Sequence, residues 1–299
     1  DARNSLVDSY INFISIVEPK VIFFENVKGF TINFKKKGAS KGKNYSEYVI
    51  KKLGKDYYTD YALLDFSEFG IPQRRSRFIL VGLRKKIFKE ERVKEFFKNL
   101  KENKKKFLKS LDLNESITLE EAISDLLQSN GTLPSPDTRS FNAGVYANSE
   151  ILSNYQKALR ANIEIKEQPV DSHRFAKHTE EIVDRFKFAI NNKLTSGKYK
   201  KHFGLNKTTT KLLIAGEPAP TLTTLPDDCI HYCEPRILTV REYARIQSFP
   251  DTYEIKGKYT TGNDGRKNEV PRYSQIGNAI PPLFAEQSGI VLKDLICNG

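Results

Sequence analysis

The chain has 299 residues, 38% apolar and 29% charged, which supplies one large core or two ordinary ones and excludes wholesale disorder. Lys and Arg outnumber Asp and Glu by 49 to 37, and the resulting formal charge of +12 suits a polyanionic partner. The longest apolar runs, such as Val21–Phe24 and Phe78–Leu83, are strand-sized, so neither a membrane partner nor a signal peptide is expected.

In chain order, Ser5–Val17 reads as an amphipathic helix with Leu6, Tyr10, Phe13 and Val17 on its packing face, stopped by Pro19. Lys20–Phe24 reads as a buried strand that ends at the polar triplet Glu25-Asn26-Val27. Tyr45–Leu53 follows as a helix, then Tyr57–Leu64 and Arg77–Leu83 as strands joined through Gly70-Ile71-Pro72. That order predicts an α/β fold whose sheet has an antiparallel edge. Lys35–Lys55 carries eight Lys against one Glu, and Lys85–Lys109 carries eleven Lys or Arg against four Glu in a helical, basic stretch. Thr118-Leu119-Glu120-Glu121 is a capping box that opens a helix to about Leu127. Residues 129–178 are loop-rich, Thr179–Ile190 reads as a helix, and Lys193–Lys211 is basic again. Thr239-Val240-Arg241-Glu242 is a second capping box with a helix to Ser248, and Pro281-Pro282 opens a last helix through Ile296.

Four segments carry chemistry. Glu25-Asn26-Val27 stands at the carboxyl end of a strand, where α/β sheets line their ligand crevice. Alternation puts Gln73, Arg75 and Arg77 on one side of an extended segment and Arg74 on the other, so two guanidiniums can grip a phosphate or a base oxygen. Arg236–Asp251 places Arg236 just before a helix N-cap, set to brace a neighbouring domain or meet a phosphate. Ser274–Pro282 puts a small, backbone-exposing turn at Gly277-Asn278-Ala279, before a helix. Cys229, His231 and Cys233 lie close together, but no second ligand pair follows, so no metal is expected. Three cysteines suit a reducing compartment.

In order and wording these segments resemble the bacterial cytosine-5 DNA methyltransferases: their Glu-Asn-Val motif, their Gln-x-Arg-x-Arg motif, the segment after their target-recognition domain, and their final Gly-Asn motif. The resemblance implies a partial Rossmann-like methyltransferase sheet with an inserted, loop-rich target-recognition domain. The parts are 1–84 catalytic, 85–233 recognition and 234–299 a return to the catalytic domain. It implies S-adenosyl-L-methionine as cofactor, duplex DNA as partner, a flipped-out cytosine as target and a cytoplasmic, nucleoid-associated setting, within a restriction–modification system. Glu25 would meet the edge of the base ring, Asn26 hold its loop and Arg77 meet the base carbonyl, with Arg75 and Gln73 in support. Gly277, Asn278 and Ala279 would border the cofactor, and Arg236 and Arg241 would contact DNA. Base-reading loops of the insert would enter the major groove while the Lys-rich stretches meet phosphates.

In that family the glycine-rich cofactor motif and the Pro-Cys nucleophile loop precede Glu-Asn-Val. Only 24 residues precede Glu25 and none is Cys, so an upstream part is expected, as the same gene's polypeptide or a separate subunit. The other readings are a non-catalytic, sequence-specific DNA-binding module and an RNA methyltransferase. Intact Glu25, Gln73, Arg75 and Arg77 speak against the first, and the large insert speaks against the second.

Overall fold

A computed structural model describes residues 2–32, 44–147, 152–163, 168–207, 209–260 and 269–297, with side chains from Leu6 onward. Part of the first Lys-rich run, Lys35–Lys43, lies outside them. The helices are α1 (Ala2–Val17), α2 (Tyr45–Leu53), α3 (Glu90–Ser110), α4 (Leu119–Ile123), α5 (Asn154–Leu159), α6 (Glu180–Asn191), α7 (Ser196–Phe203), α8 (Val240–Ile246), α9 (Arg272–Asn278) and α10 (Pro282–Cys297). The strands are β1 (Val21–Val27), β2 (Tyr57–Asp65), β3 (Gln73–Arg74), β4 (Ser76–Arg84), β5 (Thr132–Pro134), β6 (Asn142–Gly144), β7 (Lys211–Leu212), β8 (Ala219–Pro220) and β9 (Cys229–Ile230).

The chain divides into two compact units: Asp1–Phe66 with Ser76–Phe107 and Glu286–Gly299, and Ser67–Arg75 with Leu108–Ala285. These cuts differ from divisions at 84 and 233. Residues 234–285 cluster with the segment that precedes them, because α8 is knitted to α4 and α5: the Tyr155 hydroxyl donates to the Arg245 carbonyl at 2.7 Å and the Arg245 guanidinium to the Ala122 carbonyl at 2.9 Å.

In the first unit the sheet has the order β1-β4-β2. Both neighbours are antiparallel to β4, so β1 and β2 run parallel to each other on either side of it. Strand β4 is central and carries the apolar run Phe78–Leu83, buried on both faces. Phe78 and Leu80 face α1 and α2, in a core with Ile14, Ile22, Val49 and Leu53. By alternation Ile79, Val81 and Leu83 face the other way, as does Phe23 of β1, whose ring meets Phe96 of α3 edge-on at 6.2 Å. Helix α2 starts where Asn44 accepts from the Ser46 and Glu47 amides, satisfying two amides that the helix cannot pair itself.

Two expectations need correction here. Strand β1 continues through Glu25-Asn26-Val27 instead of stopping before it, because β4 pairs every residue from Val21 to Val27. On α1 the packed face is Val7, Tyr10, Ile11 and Ile14, whereas Leu6, Phe13 and Val17 are exposed. A helix whose apolar residues spread around most of its circumference shows several candidate faces, and periodicity alone does not choose among them.

Both capping boxes form: the Thr118 and Thr239 hydroxyls accept from the Glu121 and Glu242 amides, and each Glu reaches back to its cap. Ser274–Asn278, the first part of the segment Ser274–Pro282 read as a turn, belongs to helix α9.

Candidate active site

Glu25 and Arg77 come together because β1 and β4 are in register. Glu25 stands opposite Ile79 and Val27 opposite Arg77, so the two charged side chains are diagonal neighbours on one sheet face. Their ion pair closes at 2.8 Å between the Arg77 Nε and the Glu25 Oε1. Burial pushes the Arg77 guanidinium below its ordinary value and the Glu25 carboxylate draws it back up. The Glu25 side chain keeps 21% of its surface open and that of Arg77 10%. A carboxyl group beside a guanidinium, both largely out of water, suits the edge of a ring that presents a nitrogen next to a carbonyl when the carboxyl carries the proton. Asn26 alternates to the other face, and its Oδ1 accepts from the Val27 amide at 2.9 Å, so it shapes the strand end.

Gln73 and Arg75 take the same side of their segment, as alternation requires, and both are buried. Their work is internal. Strand β3 pairs in parallel with β8, the Gln73 Oε1 accepts from the Leu222 amide at 3.1 Å, and the Arg75 guanidinium donates to the Gly277 carbonyl at 2.9 Å and the Leu222 carbonyl at 3.3 Å. The Gln247 amide donates to the Ile276 carbonyl at 3.1 Å. Four stretches far apart in sequence, at residues 73–75, 219–223, 247 and 276–277, are thus locked together. Arg74, on the other side, is exposed and pairs with Glu217 at 3.0 Å.

The absent Cβ of Gly277 is explained by this packing. A Cβ there would lie 2.6 Å from the Thr223 carbonyl oxygen, so glycine admits a neighbouring loop segment of this chain where a close ligand approach was expected. Asn278 is exposed at the end of α9 and Ala279 is half-buried. These two can border a cofactor; Gly277 is already enclosed.

The structure corrects the reading of Arg236 and Arg241 as DNA contacts. Arg236 is buried, donates to both Glu242 oxygens at 2.8 and 2.7 Å, and pairs with Glu234 at 2.6 Å. Arg241 is buried and donates to the Asp171 carboxylate at 2.6 Å and to the Asp171 and Tyr253 carbonyls at 2.9 Å. Neither guanidinium reaches solvent, so neither meets a phosphate. Both brace the fold around α8.

Sequence inspection missed the strongest charged cluster. Arg245 is fully buried between Asp251, at 2.6 Å, and Asp125, at 3.1 Å, and Asp251 also accepts from the Tyr146 hydroxyl at 2.6 Å. The signal was present as a helix-face Arg at i+4 from Arg241 and Asp251 past the helix end, but Asp125 is distant in the chain. Two buried histidines sit nearby. His173 bonds the Thr239 hydroxyl at 2.7 Å and the Leu126 carbonyl at 2.8 Å, and His231 accepts from the Glu234 amide at 3.2 Å. Burial lowers His173 to about 4 and His231 to about 3, so both are neutral. Burial likewise raises the Cys229 thiol to about 12 and the Cys233 thiol to about 11, which leaves neither as a ready thiolate. No group of three or more His, Cys, Asp or Glu among the described residues is arranged to hold a metal ion, and no described helix is long and apolar enough to cross a membrane.

Comparison with known proteins places these features. The family model for C-5 cytosine-specific DNA methylases matches residues 1–293. The type II methyltransferase M.DdeI of Desulfomicrobium norvegicum is 30% identical over 96% of this chain, and M.Bpa9945I of Bacillus paralicheniformis is 29% identical over 99%. The chain covers 66% and 65% of those two relatives, just under two thirds of their length. A crystal structure described as a DNA modification methyltransferase encoded within an E. coli prophage superposes with a TM-score of 0.60 at 19% identity, covering 99% of this chain and 75% of that one. That likeness shows the fold, a Rossmann-like methyltransferase fold of mixed α/β content.

Proposed function

The chain belongs to the family of C-5 cytosine-specific DNA methylases, and on that premise we propose that it serves methyl transfer from S-adenosyl-L-methionine to the C5 carbon of a cytosine flipped out of duplex DNA, within a bacterial restriction–modification system. The observation that carries the proposal is the Glu25–Arg77 pair, closed at 2.8 Å on one sheet face with the carboxylate still partly open. Arg77 donates to the carbonyl oxygen of the base, and Glu25, in its protonated form, donates to the adjacent ring nitrogen. Together they stabilise the negative charge that develops across that edge when the ring carbons react. Asn26 fixes the strand end that carries Glu25. Gln73 and Arg75 hold the segment from Leu222 to Gly277 in place, and Asn278 and Ala279 border the cofactor. S-adenosyl-L-methionine supplies an electrophilic methyl group when bound. The covalent addition of a thiolate, which the family resemblance implies, is assigned to no cysteine of this chain. Residues 85–233 serve as the target-recognition domain, and the remainder as the catalytic domain. The protein works in the cytoplasm, on nucleoid DNA.

The test is incorporation of labelled methyl groups into duplex DNA by the full-length protein. Label is expected in 5-methylcytosine, and Glu25→Gln should lower the rate by about 10²–10³-fold, the cost typical of losing one group that stabilises developing charge. Duplex binding with no label in cytosine would leave a DNA-binding module without catalysis and end the enzymatic reading.

A further inference from the structure

Between Asp184 and Glu217 the sequence has no acidic residue and eight Lys or Arg. This acid-free stretch folds largely as α6, a four-residue turn and α7. The turn is tight: Lys193 is left-handed with φ 46°, and the Leu194 amide donates to the Ala189 carbonyl at 3.0 Å. Helix α7 ends at Gly204, also left-handed with φ 62°, where the Leu205 amide returns to the Lys200 carbonyl at 3.1 Å. One face of α7 is spent on packing, with Tyr199 buried in a small core with Phe186, Ala189 and Ile230.

The other face carries Lys198, Lys201 and His202, at spacing i, i+3 and i+4, and all three are exposed. Three of the other six basic residues of the stretch are already held: Arg185 by Glu181, Lys187 by Asp184 at 3.2 Å and Lys207 by Asp228 at 2.9 Å. Lys198 and Lys201 form no ion pair with any described residue. Beside them the His202 ring stacks on Phe188, with centroids 4.3 Å apart and planes at 15°, and Phe188 keeps 38% of its surface in water. Unneutralised lysines next to an exposed, flat aromatic pair on a narrow helix form a surface for a nucleic-acid backbone. A helix of this width also fits the major groove.

We propose that the exposed face of α7 is where this chain seats duplex DNA, with Lys198 and Lys201 on phosphates and the Phe188–His202 pair against the sugar edge. The proposal rests on the DNA-methylase reading and adds to it the element that holds the duplex. Because these contacts go to phosphates, they set affinity and register and leave sequence choice to other residues.

The experiment is binding of the full chain to a labelled duplex oligonucleotide by fluorescence anisotropy across a salt series. Lys198→Ala/Lys201→Ala should weaken binding at least about tenfold and flatten the log–log salt slope by about 2, close to one unit per lost phosphate contact. Lys198→Arg/Lys201→Arg should keep the wild-type slope. Lys256→Ala, an exposed lysine elsewhere, should leave the slope nearly unchanged, and thermal melting should show all variants folded. A wild type that binds duplex with a salt slope unaltered by the alanine pair overturns the α7 assignment alone. A wild type without salt-dependent duplex binding overturns the DNA reading and the α7 assignment with it.

Discussion

Arginine meets carboxylate in two regions of this molecule under opposite conditions. On the sheet, the Glu25–Arg77 pair is 2.8 Å long and partly open to solvent. Around α8, Arg236, Arg241 and Arg245 are buried and spread their donors over Glu234, Glu242, Asp171, Asp125 and Asp251. In sequence both regions read as functional motifs. What separates them is whether the guanidinium itself keeps solvent-facing surface: 10% of the Arg77 side chain is open, against 0% for Arg241 and Arg245. A guanidinium enclosed by carboxylates and carbonyls holds the fold, and one that keeps surface of its own beside a partly open carboxylate can still receive a ligand.

The comparison breaks most decisively at Arg245. Arg245→Leu removes the guanidinium that bridges the buried carboxylates of Asp125 and Asp251, leaving Arg160 on Asp125 and, on Asp251, Tyr146 and the more distant Arg241 at 3.8 Å. We expect a loss of about 3–5 kcal/mol, the cost of stranding a buried charge, measured by urea unfolding. Glu25→Gln should shift the same curve by only about 1–2 kcal/mol, since the amide oxygen can still accept from the Arg77 guanidinium. Equal losses at the two sites would erase the distinction.

Acid sharpens it further, because all four histidines lie in the second unit. His173 and His231 are held neutral by burial at about 4 and about 3. The unfolded chain binds protons on these rings near pH 6.5 and the folded chain does not, so stability is full above that pH and falls as pH drops towards the folded values. The slope is about 1.4 kcal/mol per pH unit for each histidine. Glu242 acts in the same direction lower down: despite burial, Arg236 holds it at about 2, so its contribution is lost as pH falls from about 4.3 towards that value. Hydrogen exchange between pH 7 and 5 should show the second unit opening first. Uniform loosening of both units would contradict this.

Much of the sheet was legible in the sequence. The apolar run Phe78–Leu83 bounded by charged residues marks a central strand, and both Thr-x-x-Glu boxes mark helix starts, because these signals are local. What lay beyond reach depended on contacts between distant segments. Nothing near Gly277 in sequence announces the Thr223 carbonyl that occupies its side-chain space, and nothing near Arg236 or Arg241 shows that each is enclosed. The Glu25–Arg77 pair was named residue by residue from the family resemblance, but its geometry needed the β1–β4 register, which no local pattern fixes.

The smallest expected effect sharpens the comparison within a single motif. Arg74 and Arg75 are adjacent, and strand alternation sends them to opposite sides. Arg74 forms an exposed pair with Glu217, with 57% and 45% of the two side chains in solvent. Such a pair gains little in high dielectric and gives up side-chain entropy, so Arg74→Ala should cost at most about 0.5–1 kcal/mol. Arg75→Ala withdraws two donors from the buried Leu222 and Gly277 carbonyls and should cost about 2–3 kcal/mol. Urea unfolding of the two variants side by side decides the point. If Arg74→Ala proves the costlier, the segment does not pack as described, and the partners given to Gln73 and Arg75 must be reassigned.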